Sequence, residues 1–277
     1  MRKFSVQQAG KPATILGVIV MEWLRDFSAG DESVRVLCLP PAGGSARPYR
    51  RWADLLPAHV GVVAVELPGH GSRLDETPLD DLPALIEGML PEVRELLDRP
   101  LMVFGHSMGA LVGVELCRAL LVERDWSPLM FIAAGCASPD LPSVPDYDTR
   151  MTDEGILDFL TKVGGTPPDI LGNDEYLGMI RPVVRADLEA MAHRVLDAQP
   201  RLGCAVRAYL GAEDLRVTAD QAAGWVIESD GDFDRCTFPG GHFFVQDHVE
   251  TMLSRLRRDL AEALRTRGRD RRPAISN

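Results

Sequence analysis

The chain has no Cys-x-x-Cys pair, no apolar run near the ~20 residues of a membrane span, and no surplus of positive charge. Each absence removes a class of protein. Lysine and arginine together number 30 against 41 aspartates and glutamates, a formal net charge of −11. Phosphate binding needs a basic face, so nucleic acid is not expected as a partner. The one basic cluster (Arg265, Arg267, Arg269, Arg271 and Arg272) reads as the start of a solvated C-terminal tail over 266–277. The five cysteines, at 38, 117, 136, 204 and 236, are an odd number without paired spacing. Cys38 and Cys117 fall inside apolar runs, where a free thiol packs as a small hydrophobe. That usage fits a reducing cytoplasm rather than a disulfide framework. No His, Cys and carboxylate cluster has metal-ligand spacing, so neither a metal nor another cofactor is expected. No membrane partner is expected either. Internal repeats and low-complexity segments are missing too.

What is present is a large apolar fraction, 45% of 277 residues, enough to fill one sizeable core. Short β-rich runs alternate with longer helical patterns, the signature of an α/β fold with a mostly parallel sheet and helices on both faces. The expected strands are VRVLCL (34–39), GVVAVEL (61–67), PLMVFG (100–105), PLMFIAAG (128–135), CAVRAYLG (204–211) and DRCTFPG (234–240). Between Cys136 and Gln199 the alternation lapses into helical patterns alone. That predicts a helical lid over about 139–199, inserted after the strand that follows the serine-bearing turn and helix, and folded over the carboxyl ends of the strands. Its Thr152-x-x-Gly155 start is an N-cap pattern. The main domain is expected over 22–265. Ahead of it, residues 1–21 join a basic start to an apolar run from Ala13 to Met21 that imitates a weak secretory signal. Glu22 and Trp23 follow instead of a small-x-small cleavage site, so a flexible extension is expected.

One stretch carries chemistry. Gly105-His106-Ser107-Met108-Gly109 matches G-x-S-x-G between an expected strand and helix, the setting of a nucleophile elbow. Such a turn is sharp and strains the serine, so a Cβ at either flanking glycine would collide with neighbouring chain. A helix N-cap serine is the bland alternative. The hydroxyl needs a base, and in the order Ser…Asp/Glu…His the base comes last. His193 falls among the lid helices and His248 in the final helix, whereas His242 in FPGGHFF follows a strand and two glycines. His242 is the expected base. For the acid, AYLGAEDLRV offers Asp214 and Glu213 and GCASPD offers Asp140; Asp214 is preferred, with the other two open. The oxyanion hole needs two backbone N–H groups. Met108 supplies one, and in LPPAGG the prolines 40 and 41 have none to give, so Ala42 is first in line with Gly43 behind it.

Taken together, LPPAGGSARPYRRWADLLP, VELPGHGSRLDE, VFGHSMGALVGVELCRAL, VGGTPPDIL, PVVRADLEAM, LGAEDLRV and PGGHFF resemble the type II thioesterases. These are stand-alone α/β-hydrolases that serve polyketide synthases and nonribosomal peptide synthetases. The likeness runs from about Trp23 to the final helix. It implies a triad of Ser107, Asp214 and His242, with oxyanion donors at Met108 and Ala42. It also implies hydrolysis of acyl or peptidyl groups from the phosphopantetheine arm of an acyl or peptidyl carrier protein, an editing role. Two features depart from the family pattern: the first twenty residues lie outside it, and His70 and Gly71 stand where Arg and a larger polar residue are frequent. A carboxylesterase or lipase, or an acyltransferase or cyclase, would share the triad; a non-catalytic binding protein would not need it filled. We expect a cytoplasmic monomer. Lid residues Ile156, Leu157, Phe159, Leu160, Ile170, Leu171, Leu177, Met179 and Ile180 are expected to divide between packing the lid and lining an apolar acyl channel, whose methionines (Met151, Met179, Met191) permit repacking.

Overall fold

Strands buried on both faces need side chains that alternate between two cores, and the central strands do so. The computed structural model describes residues 14–15, 18–19, 22–142, 151–166, 168–195 and 199–270. In β4 (Val34–Leu39), Leu37 and Leu39 enter one apolar cluster while Val34, Val36 and Cys38 enter the other. In β6 (Leu101–His106), Leu101 and Val103 are divided in the same way from Met102 and Phe104. β5 (Val60–Val65) and β7 (Met130–Ala134) repeat the pattern. The first cluster is covered by α2 (Leu82–Glu95) and α3 (Met108–Arg124), through residues such as Met89, Val93, Leu111 and Val114. The second is covered by α1 (Arg50–Leu55), through Trp52, and by the last helix, through Met252, Leu253, Leu256 and Leu260.

A small two-residue pairing, β1 (Thr14–Ile15) with β2 (Val18–Ile19), precedes the main sheet; the rest of 1–21 lies outside the described residues. The main sheet has seven strands in the order β3-β5-β4-β6-β7-β8-β9, with β8 at Cys204–Gly211 and β9 at Ser229–Phe238. All neighbours are parallel except β3 (Leu24–Asp26), which pairs antiparallel with β5 at the edge. From β4 the chain moves outward to β5 and then returns to the other side at β6. The carboxyl ends of β4 and β6 therefore flank a topological switch point, where ligands bind in open α/β sheets.

The edge strand has no sequence pattern of its own; a buried carboxylate seats it. Glu92, in α2, accepts the amides of Glu22 at 2.8 Å, Trp23 at 3.1 Å and Leu24 at 3.1 Å. β9 begins at Ser229, earlier than the expected Asp234. After the short α7 (Ala219–Ala223), the final helix is two: α8 (Phe244–Asp247) and α9 (Val249–Asp270). The second continues through 266–270, into the stretch read as tail; 271–277 lie outside the described residues.

Among the described residues between β7 and β8 lie three helices and no strand: α4 (Asp153–Val163), α5 (Pro168–Leu171) and α6 (Asp174–Ala192). The Thr152 hydroxyl caps α4 by accepting from the Gly155 amide at 3.0 Å, and Asn173 caps α6 through the Tyr176 amide at 3.0 Å. Ile156, Phe159, Leu160, Leu177, Val184 and Leu188 form a separate core for this insert, with Ala42 packed against it. The helices thus sit on the loop that leaves β4. Among the described residues no helix is long and apolar enough to cross a membrane.

Candidate active site

Ser107 lies between β6 and α3 with φ 53° and ψ −119°, a backbone conformation that costs a non-glycine residue ~1–3 kcal/mol. The flanking glycines make the turn possible. A Cβ on Gly105 would lie 2.3 Å from the Ala110 Cα, and one on Gly109 would lie 2.2 Å from the Leu39 carbonyl oxygen. The Ser107 amide donates to the Ala134 carbonyl at 2.8 Å, tying the turn to β7. Its hydroxyl does not cap α3, so the bland reading fails, and Ser107 lines a cavity of about 140 Å³ instead.

His242 lines the same cavity. Its Nδ1 lies 2.8 Å from Oδ2 of Asp214, whose side chain is completely buried. The loops that carry the pair are zipped together: Ala212 N–H donates to the Phe238 carbonyl at 2.8 Å and Glu213 N–H to the Gly240 carbonyl at 2.9 Å. Burial works to raise the Asp214 pKa. The hydrogen bond and charge of His242, with the amides of Arg216 and Val217, outweigh it and hold the carboxyl below the ordinary aspartate range. An ionised carboxylate can only accept, so Nδ1 carries a hydrogen, and in the neutral ring the lone pair is then on Nε2. Asp140 is elsewhere, hydrogen-bonded by the Ser138 hydroxyl. The Glu213 side chain is exposed, and His193 is a surface residue 3.2 Å from Glu189.

The loop after β4 turns at Pro41–Gly44, closed by Gly44 N–H to the Pro41 carbonyl at 2.8 Å. Gly43 holds the third position at φ +69°, where a type II turn demands glycine. The Gly43 amide is taken by Oδ2 of Asp187 at 2.7 Å. Of the two amides considered in this loop, that leaves Ala42, which lines the Ser107 cavity together with Met108. As the first residue of α3, Met108 has an N–H with no intrahelical partner.

Leu111, Leu141, Phe159, Leu188 and Met191 supply apolar wall, and Arg216 and Gln221 supply polar wall. Of the lid residues expected to form a channel, Phe159 and Met191 reach this cavity; Leu160 and Ile180 line a neighbouring one of about 210 Å³ that shares Ala42 and Phe159. Ile156 and Leu177 pack the insert, while Ile170 and Met179 are 39% and 49% exposed. Sequence reasoning passed over Leu188, Arg216, His106 and Asp187. A signal existed for Asp187: it is an acid on the buried stripe of α6, among Val183, Val184, Ala186, Leu188 and Met191.

A strained serine between β6 and α3, a buried His–Asp pair and this strand order together define an α/β-hydrolase. The sequence profile of the thioesterase domain matches residues 34–260, and the chain belongs to that family. It is 29% identical over 232 residues to the gramicidin S biosynthesis protein GrsT of Aneurinibacillus migulanus, covering 82% of this chain and 91% of that one. To a probable cadicidin biosynthesis thioesterase of Streptomyces griseus it is 30% identical, covering 91% of this chain and 69% of that one. Among solved structures, the type II thioesterase BorB from the borrelidin biosynthetic cluster superposes with a TM-score of 0.76. The identity there is 31%, over 87% of this chain and 97% of BorB. The chain is a thioesterase, a hydrolase of thioesters.

Proposed function

We propose that this enzyme removes acyl or peptidyl groups from the phosphopantetheine arm of a carrier protein in polyketide or nonribosomal peptide assembly. The observation that carries the reading is the buried His242–Asp214 pair facing the same cavity as the strained Ser107. The relatives named for such pathways supply the substrate class.

In the reaction the Ser107 Oγ attacks the thioester carbonyl carbon as His242 Nε2 takes its proton, and Asp214 stabilises the imidazolium without taking the proton itself. The tetrahedral oxyanion accepts from the amides of Ala42 and Met108, each worth ~10²–10³ in rate. Collapse breaks the C–S bond, and His242 returns the proton to the departing thiolate. Water then attacks the acyl-serine with His242 again as base, releasing the acid and restoring the Ser107 hydroxyl.

The test is a panel of acyl-carrier proteins against matched small-thiol thioesters and p-nitrophenyl esters. Higher kcat/KM on the carrier-bound substrates is expected, with little discrimination over a few methylenes, since a wall that includes Met191 can repack around different chains. Equal or better turnover of the free esters would favour an esterase, and transfer products in place of free acid would favour an acyltransferase. Ser107→Ala should remove ~10⁴-fold or more of kcat and the single site of phosphonate labelling.

A further inference from the structure

Asp187 sits on α6 with its side chain 1% exposed, and a buried carboxylate there requires partners. It has them on two loops far away in sequence. Oδ2 accepts the Gly43 amide at 2.7 Å and meets His70 Nε2 at 2.9 Å. The other ring nitrogen of His70, Nδ1, lies 2.9 Å from the Pro68 carbonyl oxygen. A carbonyl only accepts, so Nδ1 carries a hydrogen; facing an ionised carboxylate, Nε2 carries one too. His70 is then an imidazolium, and the contact is a buried ion pair between the insert and the loop after β5.

Gly43 is held from a second direction by the same helix. A Cβ at Gly43 would lie 2.9 Å from Cγ2 of Val184, which is one turn from Asp187. Downstream, the Ala46 amide donates to the buried Glu66 carboxylate at 3.0 Å. The turn beside the proposed oxyanion donor is therefore pinned by two carboxylates, and the nearer one belongs to α6.

We propose that Asp187 is a positioning residue, fixing the Ala42–Gly43 peptide so that the Ala42 N–H faces the oxyanion, with His70 holding the carboxylate in place. Oxyanion stabilisation then depends on α6 being seated: an insert displaced from Gly43 leaves the acyl site open and its donor unaligned. The inference rests on the proposed role of Ala42. It gives His70 the task of pairing the buried acid.

The experiment compares wild type, Asp187→Asn and His70→Gln on an acyl-carrier protein, with folding checked by circular dichroism. Misplacing a reacting group or donor by about 1 Å costs ~10²-fold, so Asp187→Asn should lose roughly tenfold to a hundredfold in kcat with KM within about threefold. Affinity for an acyl trifluoromethyl ketone, which forms the tetrahedral adduct, should fall by the same factor. If Asp187→Asn does not fold, His70→Gln carries the test, with a smaller kcat loss at constant KM. A folded variant that keeps wild-type kcat, or loses rate through KM alone, overturns this inference and leaves the thioesterase reading standing. A wild type that turns over no carrier-bound thioester overturns both.

Discussion

His106 Nε2 donates a hydrogen bond to the carbonyl oxygen of His242 at 2.9 Å, joining the residue before the candidate nucleophile to the backbone of the candidate base. The two rings lie 5.2 Å apart. A carbonyl accepts only, so the hydrogen is on Nε2. Burial, followed by the neighbouring His242, pushes the His106 pKa down to about 3, and the ring stays neutral. The histidine of the G-H-S-M-G turn thus props the loop that carries the candidate base. His106→Phe leaves that buried carbonyl unpaired, which costs ~1–3 kcal/mol in stability. It should also lower kcat several-fold at unchanged KM, because His242 loses its backbone support; steady-state kinetics on a thioester substrate check this, and an unaltered kcat would argue against the prop.

Two of the buried histidines, His106 and His70, should shape stability in opposite directions. For His106 the folded pKa, about 3, lies below the ordinary 6.5. Its contribution is present above pH 6.5 and is lost as pH falls toward 3, by at most ~1.4 kcal/mol per pH unit. At His70, burial alone would lower the pKa. The charge and hydrogen bond of Asp187, the Pro68 carbonyl and Glu66 together raise it, with Arg25 lying 3.9 Å from Glu66 on its other side. That contribution is full below 6.5 and is lost as pH rises through the elevated pKa. Urea midpoints across pH 5 to 9 should fall on both sides, with His106→Phe flattening the acid limb and Asp187→Asn the alkaline limb. A variant that leaves its own limb unchanged contradicts the assignment.

The choice of acid is open to direct test. Asp214→Asn should cost ~10⁴-fold in kcat by presenting the wrong imidazole tautomer. Asp140→Asn should cost little, since that carboxylate serves Ser138. Reversed magnitudes would move the acid to the loop after β7.

The glycines of the elbow differ from a glycine in open space. Gly105→Ala and Gly109→Ala place a Cβ against backbone at 2.3 Å and 2.2 Å, where nothing flexible can give way. Both should lose soluble, folded protein. In α6, a Cβ at Gly178 would meet nothing within 4 Å, so Gly178→Ala should raise stability by up to ~1 kcal/mol. Thermal melts distinguish the cases.

Much of this site is local in origin and legible as such. The strain at Ser107, the need for glycines at 105 and 109, and the lack of donors at Pro40 and Pro41 follow from sterics within a few residues. The parallel sheet was equally readable, because strands buried on both faces carry near-continuous apolar runs, as in GVVAVEL and LMVFG. β3 was not, because a three-residue strand whose entry is seated by the Glu92 carboxylate leaves no periodicity. The division of the insert's apolar residues between packing and cavity was also hidden, since periodicity reports a buried face but not what it is buried against.

The sequence by itself determined that a serine would stand at a strained strand-to-helix turn, with a histidine and an acid downstream on loops after later strands. Only the tertiary structure decided that Asp214 rather than Asp140 meets His242, because the loops after β8 and β9 are zipped by backbone hydrogen bonds. It also decided that Asp187 takes the Gly43 amide from 144 residues away and leaves Ala42 to the cavity. A bond of that span depends on how one helix rests on a loop, and chain neighbours carry no record of it.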